Sequence, residues 1–199
     1  MLYVGFDWDE GNARKNEKHG VSKPEVEQVF LNAPLLLADD LKHSQREPRF
    51  HALGKTDQDR WLQVTFTERA NGTLIRPISA CTMSRKERAV PSMSKQIKPK
   101  QLKPIPEFAS EAEERAFWES PGNDSTEYVD WSKAKLVSFP KLRPSTETIS
   151  LRMPEDVLNT IRHHARKLDV PYQSLIKLWC AEKVAELKTS SRTAQRGGR

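Results

Sequence analysis

Apolar positions change period along the chain, and each change marks a new element. Asp9 is placed to cap a helix running to about Lys18, with Gly20 placed to end it. Ser22-Lys23-Pro24-Glu25 then forms a capping-box pattern with proline in the first turn, and Val26, Val29 and Phe30 fall on one helical face. From Leu35 onward the period becomes two. Leu35-Leu36-Leu37-Ala38 reads as a short buried strand ending at Asp39-Asp40, and 49–53, 61–68 and 74–80 read as further strands. Turn-forming stretches at 54–60 and 70–73 separate them. Leu62, Val64 and Phe66 alternate with Gln63, Thr65 and Thr67, which predicts an antiparallel sheet buried on one face only. Pro77 predicts that its strand lies at an edge or carries a bulge. A short helix at 84–89 closes a compact α+β unit over residues 1–90.

The pattern then breaks. Residues 90–104, V-P-S-M-S-K-Q-I-K-P-K-Q-L-K-P, hold three prolines, four lysines and no acidic or aromatic residue. Proline removes backbone donors and turns its predecessor away from the helix, so neither helix nor central strand is expected here. Mutually repelling lysines stiffen the segment, and 91–104 reads as a linker. Beyond it, Ser110 and Glu113 predict the start of a helix running to about Glu119, which Pro121-Gly122-Asn123-Asp124 breaks. Large aromatics are scattered through short elements: Phe108, Phe117, Trp118, Tyr128, Trp131 and Phe139. Such residues need another surface to bury them, so 105–145 reads as an arm that orders against a partner.

Period two returns briefly at 148–153, T-I-S-L-R-M, and Pro154-Glu155-Asp156 opens a helix whose apolar face is Val157, Leu158, Ile161, Ala165 and Leu168. A turn at Asp169-Val170-Pro171 leads to a second helix from Tyr172 to Leu187 with Leu175, Ile176, Trp179 and Val184. One strand and two helices cannot make a satisfactory core alone, so 146–188 predicts a dimer in which the strand pairs with its own copy. Residues 189–199 are expected to be a disordered tail.

Composition adds little to this partition, and charge adds more. No apolar run approaches a membrane span, and the start lacks a secretory pattern. Cys81 and Cys180 lie on opposite sides of the linker, which argues against a disulfide framework and for a reducing cytoplasm. The net charge of +6 is uneven: residues 105–145 carry 8 acidic and 5 basic groups, whereas 146–199 carry 10 basic and 6 acidic. An acidic arm between basic segments can lie on a basic surface of the same chain. In the first unit Lys18 and His19 end a helix, His43, Glu47 and Arg49 share a loop and strand entry, and Arg69 and Arg76 lie on the last strands. Metal-independent RNA cleavage needs a base for the 2′-hydroxyl, an acid for the leaving oxygen and cations for the phosphorane. His43 or Glu47 can serve as base, His19 or His43 as acid, and Lys18, Arg49 and Arg76 as cations; ordinary surface residues would make the same inventory. The histidines and cysteines show no metal-ligand spacing, and no cofactor is expected.

Particular motifs sharpen the reading. F-D-W-D at 6–9, N-E-K-H-G-V-S at 16–22, D-D-x2-H-S-x2-E-P-R-F-H-A-L-G from Asp39, F-T-E-R at 66–69 and I-R-P-I-S-A at 75–80 resemble the BrnT family of ribonuclease toxins, in the family's order. The resemblance implies a RelE-like fold, endoribonuclease activity on RNA, and a functional set of Lys18, His19, His43, Glu47, Arg49, Arg69 and Arg76. One position departs: such sequences usually end the last strand I-S-A-R, and this chain has Cys81. Cysteine cannot replace a forked cation at phosphate, which implies a weakened or inactive toxin half.

I-P-E-F-x-S-E-A-E-E-x2-F-W-E from Ile105, D-S-T-E-Y-V-D-W from Asp124, F-P-K-L-R-P-S-T-x-T-I-S-L-R-M-P from Phe139 and D-V-P-Y-Q-S-L-I-K from Asp169 resemble CopG-type antitoxins. In the ribbon-helix-helix fold this implies, Thr148, Ser150 and Arg152 face operator DNA, and backbone amides near Gln173 and Ser174 hold a phosphate. The arm would neutralise the toxin through Phe108, Phe117, Trp118, Tyr128 and Trp131. The leading expectation is thus a fused toxin–antitoxin protein, with Met93-Ser94-Lys95 resembling an antitoxin's own start. A repressor with a degenerate toxin half and a ribonuclease released by proteolysis at the linker are the alternatives.

Overall fold

A computed structural model describes residues 2–17, 20–40, 47–93, 102–120 and 122–196, with side chains placed for 2–13, 20–39, 47–90, 102–120 and 122–187. The chain divides into two compact units, Met1–Thr146 and Glu147–Arg199.

The first unit is built on a six-stranded sheet of order β1-β5-β4-β3-β2-β6. The chain enters through β1 (Gly5–Phe6), α1 (Glu10–Glu17) and α2 (Lys23–Leu31), then runs through β2 (Leu35–Asp40), β3 (Arg49–Lys55), β4 (Trp61–Arg69) and β5 (Leu74–Thr82) to α3 (Arg85–Met93). The second helix starts where the capping box predicts: the Ser22 side chain accepts from the Glu25 amide, and the Glu25 carboxylate accepts from the Ser22 amide at 2.8 Å. Its Val26, Val29 and Phe30 bury against Leu62, Val64 and Phe66, the apolar side of β4.

Two expectations for this unit need correction, the half-exposed sheet and the end of the closing helix. The sheet is not half-exposed: Gln63, Thr65 and Thr67 are as buried as their apolar neighbours, because residues beyond the linker cover that side. Of the two expectations for Pro77 the bulge holds: β5 is internal, pairing with β1 in parallel and β4 antiparallel, and its register shifts opposite Thr65 and Phe66. The two-residue β1 is too short to leave a periodic signal. The closing helix α3 continues past its expected end at 89 through Pro91 to Met93, and Val90 is a buried core residue. Proline in a last turn removes a single donor, and the helix ends before that loss spreads.

The arm lies on this sheet. After Ile105 comes α4 (Glu111–Glu119), then 3-10 turns at Ser125–Glu127 and Trp131–Lys133, then β6 (Lys135–Val137). Trp118, Val129 and Trp131 pack with Leu36, Ala38, Leu53, Met83 and Val90 on the polar side of the sheet. β6 then pairs antiparallel with β2, register Leu36 with Leu136, extending the sheet by one strand. The chain turns over that edge, so that Phe139 meets Tyr3 edge-on at 4.9 Å, Leu142 joins the opposite core, and the Ser145 amide donates to Glu27. Residues 105–145 therefore grip both faces and one edge of the same sheet.

The second unit holds α5 (Glu155–Lys167) and α6 (Tyr172–Arg196) around Ile161, Ala165 and Leu175. Residues 148–153 form no strand within the described residues, since an extended segment needs a partner edge and this unit supplies none. Ile149 and Leu151 are exposed. The second helix extends through the expected tail to Arg196, because residues 188–196 contain no helix breaker before Gly197-Gly198.

Candidate functional site

Strand register sorts the covered side of the sheet into three rows. Arg49 pairs with Thr67 and Thr67 with Arg76; His51 pairs with Thr65 and Thr65 with Ser79; Leu53 pairs with Gln63 and Gln63 with Cys81. Side chains directly opposite on antiparallel strands point to the same side, so a cationic band, a polar band and a mixed band of Leu53, Gln63 and Cys81 lie side by side.

The cationic band collects three of the sequence-derived site residues and a fourth joins them. Glu47 bridges two arginines, reaching Arg49 at 2.9 Å and Arg69 at 2.7 Å. Arg76 meets Asp7 at 3.1 Å and Asp9 at 2.6 Å, which ties β5 to the connection between β1 and α1. Lys18, His19 and His43 lie outside the described residues.

The first turn of α4 is acidic, and it meets this band. Glu111 accepts from Arg76 Nε at 2.9 Å and from its terminal nitrogen at 3.0 Å, a bidentate pair, and from Arg69 at 3.4 Å. Glu114 accepts from Arg49 Nε at 3.0 Å. Arg115 donates from Nε to the Ile78 carbonyl at 2.6 Å, at the residue that the bulge leaves without a cross-strand partner. Trp118, one turn on, stands edge-on to the His51 ring at 4.8 Å. Glu111, Glu114, Arg115 and Trp118 are spaced i, i+3, i+4, i+7, one face of the helix, and the last three are buried. An open cleft lined by Asp9, Arg76, Glu111 and Arg115 marks where this helix meets the start of α1.

Charge states follow from these contacts. The Glu111 carboxylate, foremost, and those of Asp9 and Asp7 hold the Arg76 guanidinium well above its ordinary value, against the opposing effect of burial. Burial works against the Arg49 charge, but Glu47 and Glu114 outweigh it and raise its pKa. Burial likewise disfavours the Glu47 carboxylate, and its bonds to Arg49 and Arg69 overcome this and lower its pKa. Cys81 is different. Burial, then the nearby carboxylates of Glu87, Glu119 and Asp124, push its thiol up to about 12, and its Sγ donates to Gln63 Oε1 at 3.3 Å.

Of the aromatic residues singled out from the sequence, all but Phe139 sit in this interface or beside it. Trp118 and Trp131 are buried, Phe117 and Tyr128 pack against the same core, and Phe108 leans on Phe117 at 5.4 Å. What the sequence reading did not single out is Glu111, Glu114 and Arg115 as the groups that meet the arginines; their helical spacing with Trp118 was the available signal. In the second unit Thr148, Ser150 and Arg152 are exposed in the segment before α5. Gln173 and Ser174 lie exposed in the first turn of α6, where the Ser174 amide donates to the Pro171 carbonyl. Among the described residues no group of His, Cys, Asp and Glu side chains could hold a metal ion, and no helix is long and apolar enough to cross a membrane.

The first unit is thus an α+β domain gripped by a helical segment of the same chain, and family comparisons say what the two parts are. Residues 8–87 match the family model of the ribonuclease toxin BrnT of type II toxin-antitoxin systems, and residues 103–183 match that of the CopG antitoxin of type II toxin-antitoxin systems. The chain joins a BrnT toxin domain to a CopG antitoxin domain. Among curated individual proteins nothing matches.

Proposed function

We propose that this chain is a self-neutralised toxin: a RelE-like endoribonuclease domain over 1–90, held inactive by its own arm over 105–145, with 146–188 as a ribbon-helix-helix that dimerises and binds operator DNA. The observation that carries the reading is the seating of Glu111 and Glu114 on Arg76, Arg69 and Arg49. Carboxylates three residues apart on a helix share one face, with Cβ atoms about 5–6 Å apart, and they occupy the cations a cleaved RNA would need. Glu47 or His43 is the candidate to take the 2′-hydroxyl proton, and Lys18 and His19 are the family-derived groups for the remaining steps; the contacts of Arg49 and Arg69 keep Glu47 ionised but lower its basicity.

Tethering raises the arm's effective concentration to roughly millimolar, so the intact chain should cut no RNA. The regulatory half rests on the exposed Ile149 and Leu151, which a second copy's strand would bury, leaving Thr148, Ser150 and Arg152 for bases and the start of α6, near Gln173 and Ser174, for phosphate. The test is RNA cleavage by the intact chain and by the chain cut at a protease site inserted within 94–101 and diluted. Cleavage only after cutting supports the proposal, and strong cleavage by the intact chain contradicts it.

Cys81 favours a second reading, a repressor whose toxin half is degenerate. A neutral, half-buried thiol cannot supply the charge of the arginine usual in the family. Under that reading the cut chain stays inactive while a gel shift with the gene's upstream DNA still succeeds.

A further inference from the structure

The polar middle band of the sheet is poorly matched to what covers it. His51, Gln63, Thr65 and Ser79 are all buried at the centre of three strands. His51 Nδ1 lies 3.1 Å from Thr65 Oγ1, and Gln63 Nε2 donates to Thr65 Oγ1 at 3.1 Å. The band is capped at His51 by Trp118, an almost wholly apolar ring. Two polar atoms there are left over: Ser79 Oγ and Trp118 Nε1 are buried with no hydrogen-bond partner among the described residues. Orphaned polar atoms in a core lose their hydration with no bond in return, so a band of imidazole, amide and hydroxyls facing an indole is a costly way to make a core. It is an economical way to read a flat ring with donors and acceptors on its edge.

We infer that His51, Gln63, Thr65 and Ser79 form a nucleobase-reading pocket for single-stranded RNA, which Trp118 fills as a surrogate base. This rests on the ribonuclease reading and deepens it. Unpaired RNA bases are recognised by stacking on aromatic or imidazole rings together with hydrogen bonds to base edges. The pocket adjoins the arginine band by register: the row His51, Thr65, Ser79 is next to the row Arg49, Thr67, Arg76. Along α4 the order is the same, with the carboxylates of Glu111 and Glu114 followed by the ring of Trp118. The helix thus presents two phosphate substitutes and one base substitute in sequence, as a strand of RNA would. His51, Gln63 and Thr65 choose the base, and the arginines hold the backbone.

The test uses the full-length chain with the surrogate removed, Glu111→Gln/Glu114→Gln/Trp118→Ala, in which β6, Trp131 and Leu142 still anchor the arm. Binding of four fluorescent oligoribonucleotides that differ at one central base is measured by anisotropy, and cleavage is scored separately by sequencing of product ends. A preference among the four bases is expected, falling roughly tenfold when Gln63→Leu or Thr65→Val is added, the discrimination that one or two base-edge hydrogen bonds provide. Both additions conserve volume, and circular dichroism confirms folding. Base-selective binding without cleavage would uphold the pocket and sink the ribonuclease reading. Binding or cleavage whose base preference survives both substitutions would overturn the pocket and leave the ribonuclease reading standing. No oligonucleotide binding by the folded triple variant would overturn the pocket.

Discussion

Replacing Glu114 by glutamine asks whether the arm is held by charge or merely by apolar packing. The Glu114 side chain is 7% exposed and that of Arg49 15%, so solvent screening does not reduce this pair to the 0–1 kcal/mol of a surface bridge. Removing one partner of a fully buried pair costs about 3–5 kcal/mol, because a charge is stranded. Arg49 is not stranded, since Glu47 remains at 2.9 Å. The relevant figure is the charge-assisted hydrogen bond itself, about 2 kcal/mol. For a unit the size of Met1–Thr146 each kcal/mol moves the melting point by about 2–4 °C, so a fall of about 4–8 °C is expected. Thermal unfolding of the full chain, followed in the near ultraviolet, reads it directly. A double-mutant cycle with Arg49→Met isolates the pair, with an expected coupling near 2 kcal/mol. A coupling below about 0.5 kcal/mol would show that the arm's acids do not hold these arginines.

Other consequences follow from the same contacts. Arg115→Met should destabilise the first unit by about 1–3 kcal/mol by leaving the Ile78 carbonyl buried without its donor, while Arg115→Lys recovers part of the loss; chemical denaturation distinguishes this from a surface change of under 0.5 kcal/mol. At pH 8 a thiol held up to about 12 is about one part in ten thousand thiolate, so an alkylating reagent should label exposed Cys180 and spare Cys81 until unfolding; equal labelling of both would refute the burial argument. Acid should destabilise the first unit. Arginine contacts depress Asp9 and Glu47 in the folded chain, and Lys103, then Lys86, hold Glu127 near 2. A depressed folded value gives stability that is present above the unfolded carboxylate value of about 4 and is lost as pH falls toward the folded one. The melting point should therefore drop between about pH 4 and pH 2, and a flat profile there would contradict it.

Much of this was written locally in the sequence. The capping box at Ser22, the alternation through Leu62, Val64 and Phe66, and the helix start at Ser110 depend on residues a few positions apart, and those elements form where expected. What was not legible is set by residues far apart. Gln63, Thr65 and Thr67 read as a solvated face because nothing near them in sequence covers them; the cover is Trp118 and its neighbours. The strand β6 has too few residues to show a period, and it forms because β2 offers an unpaired edge. Charge composition suggested an acidic arm on a basic site, but only the register of Arg49, Thr67 and Arg76 shows which acids meet which arginines. Likewise Pro91 argued locally for a break, whereas the packing of Val90 with Met83 and Leu53 places the helix end later.

The central claim is that the arm silences the toxin domain by occupying its arginines. The most direct measurement is the RNA-cleavage rate of the intact chain beside that of the full-length charge-reversed variant Glu111→Lys/Glu114→Lys, with folding of both confirmed by circular dichroism. The account predicts no cleavage by the first and clear cleavage by the second. Robust cleavage by the intact chain, or continued silence of a folded variant whose arm shows fast hydrogen exchange, would contradict it.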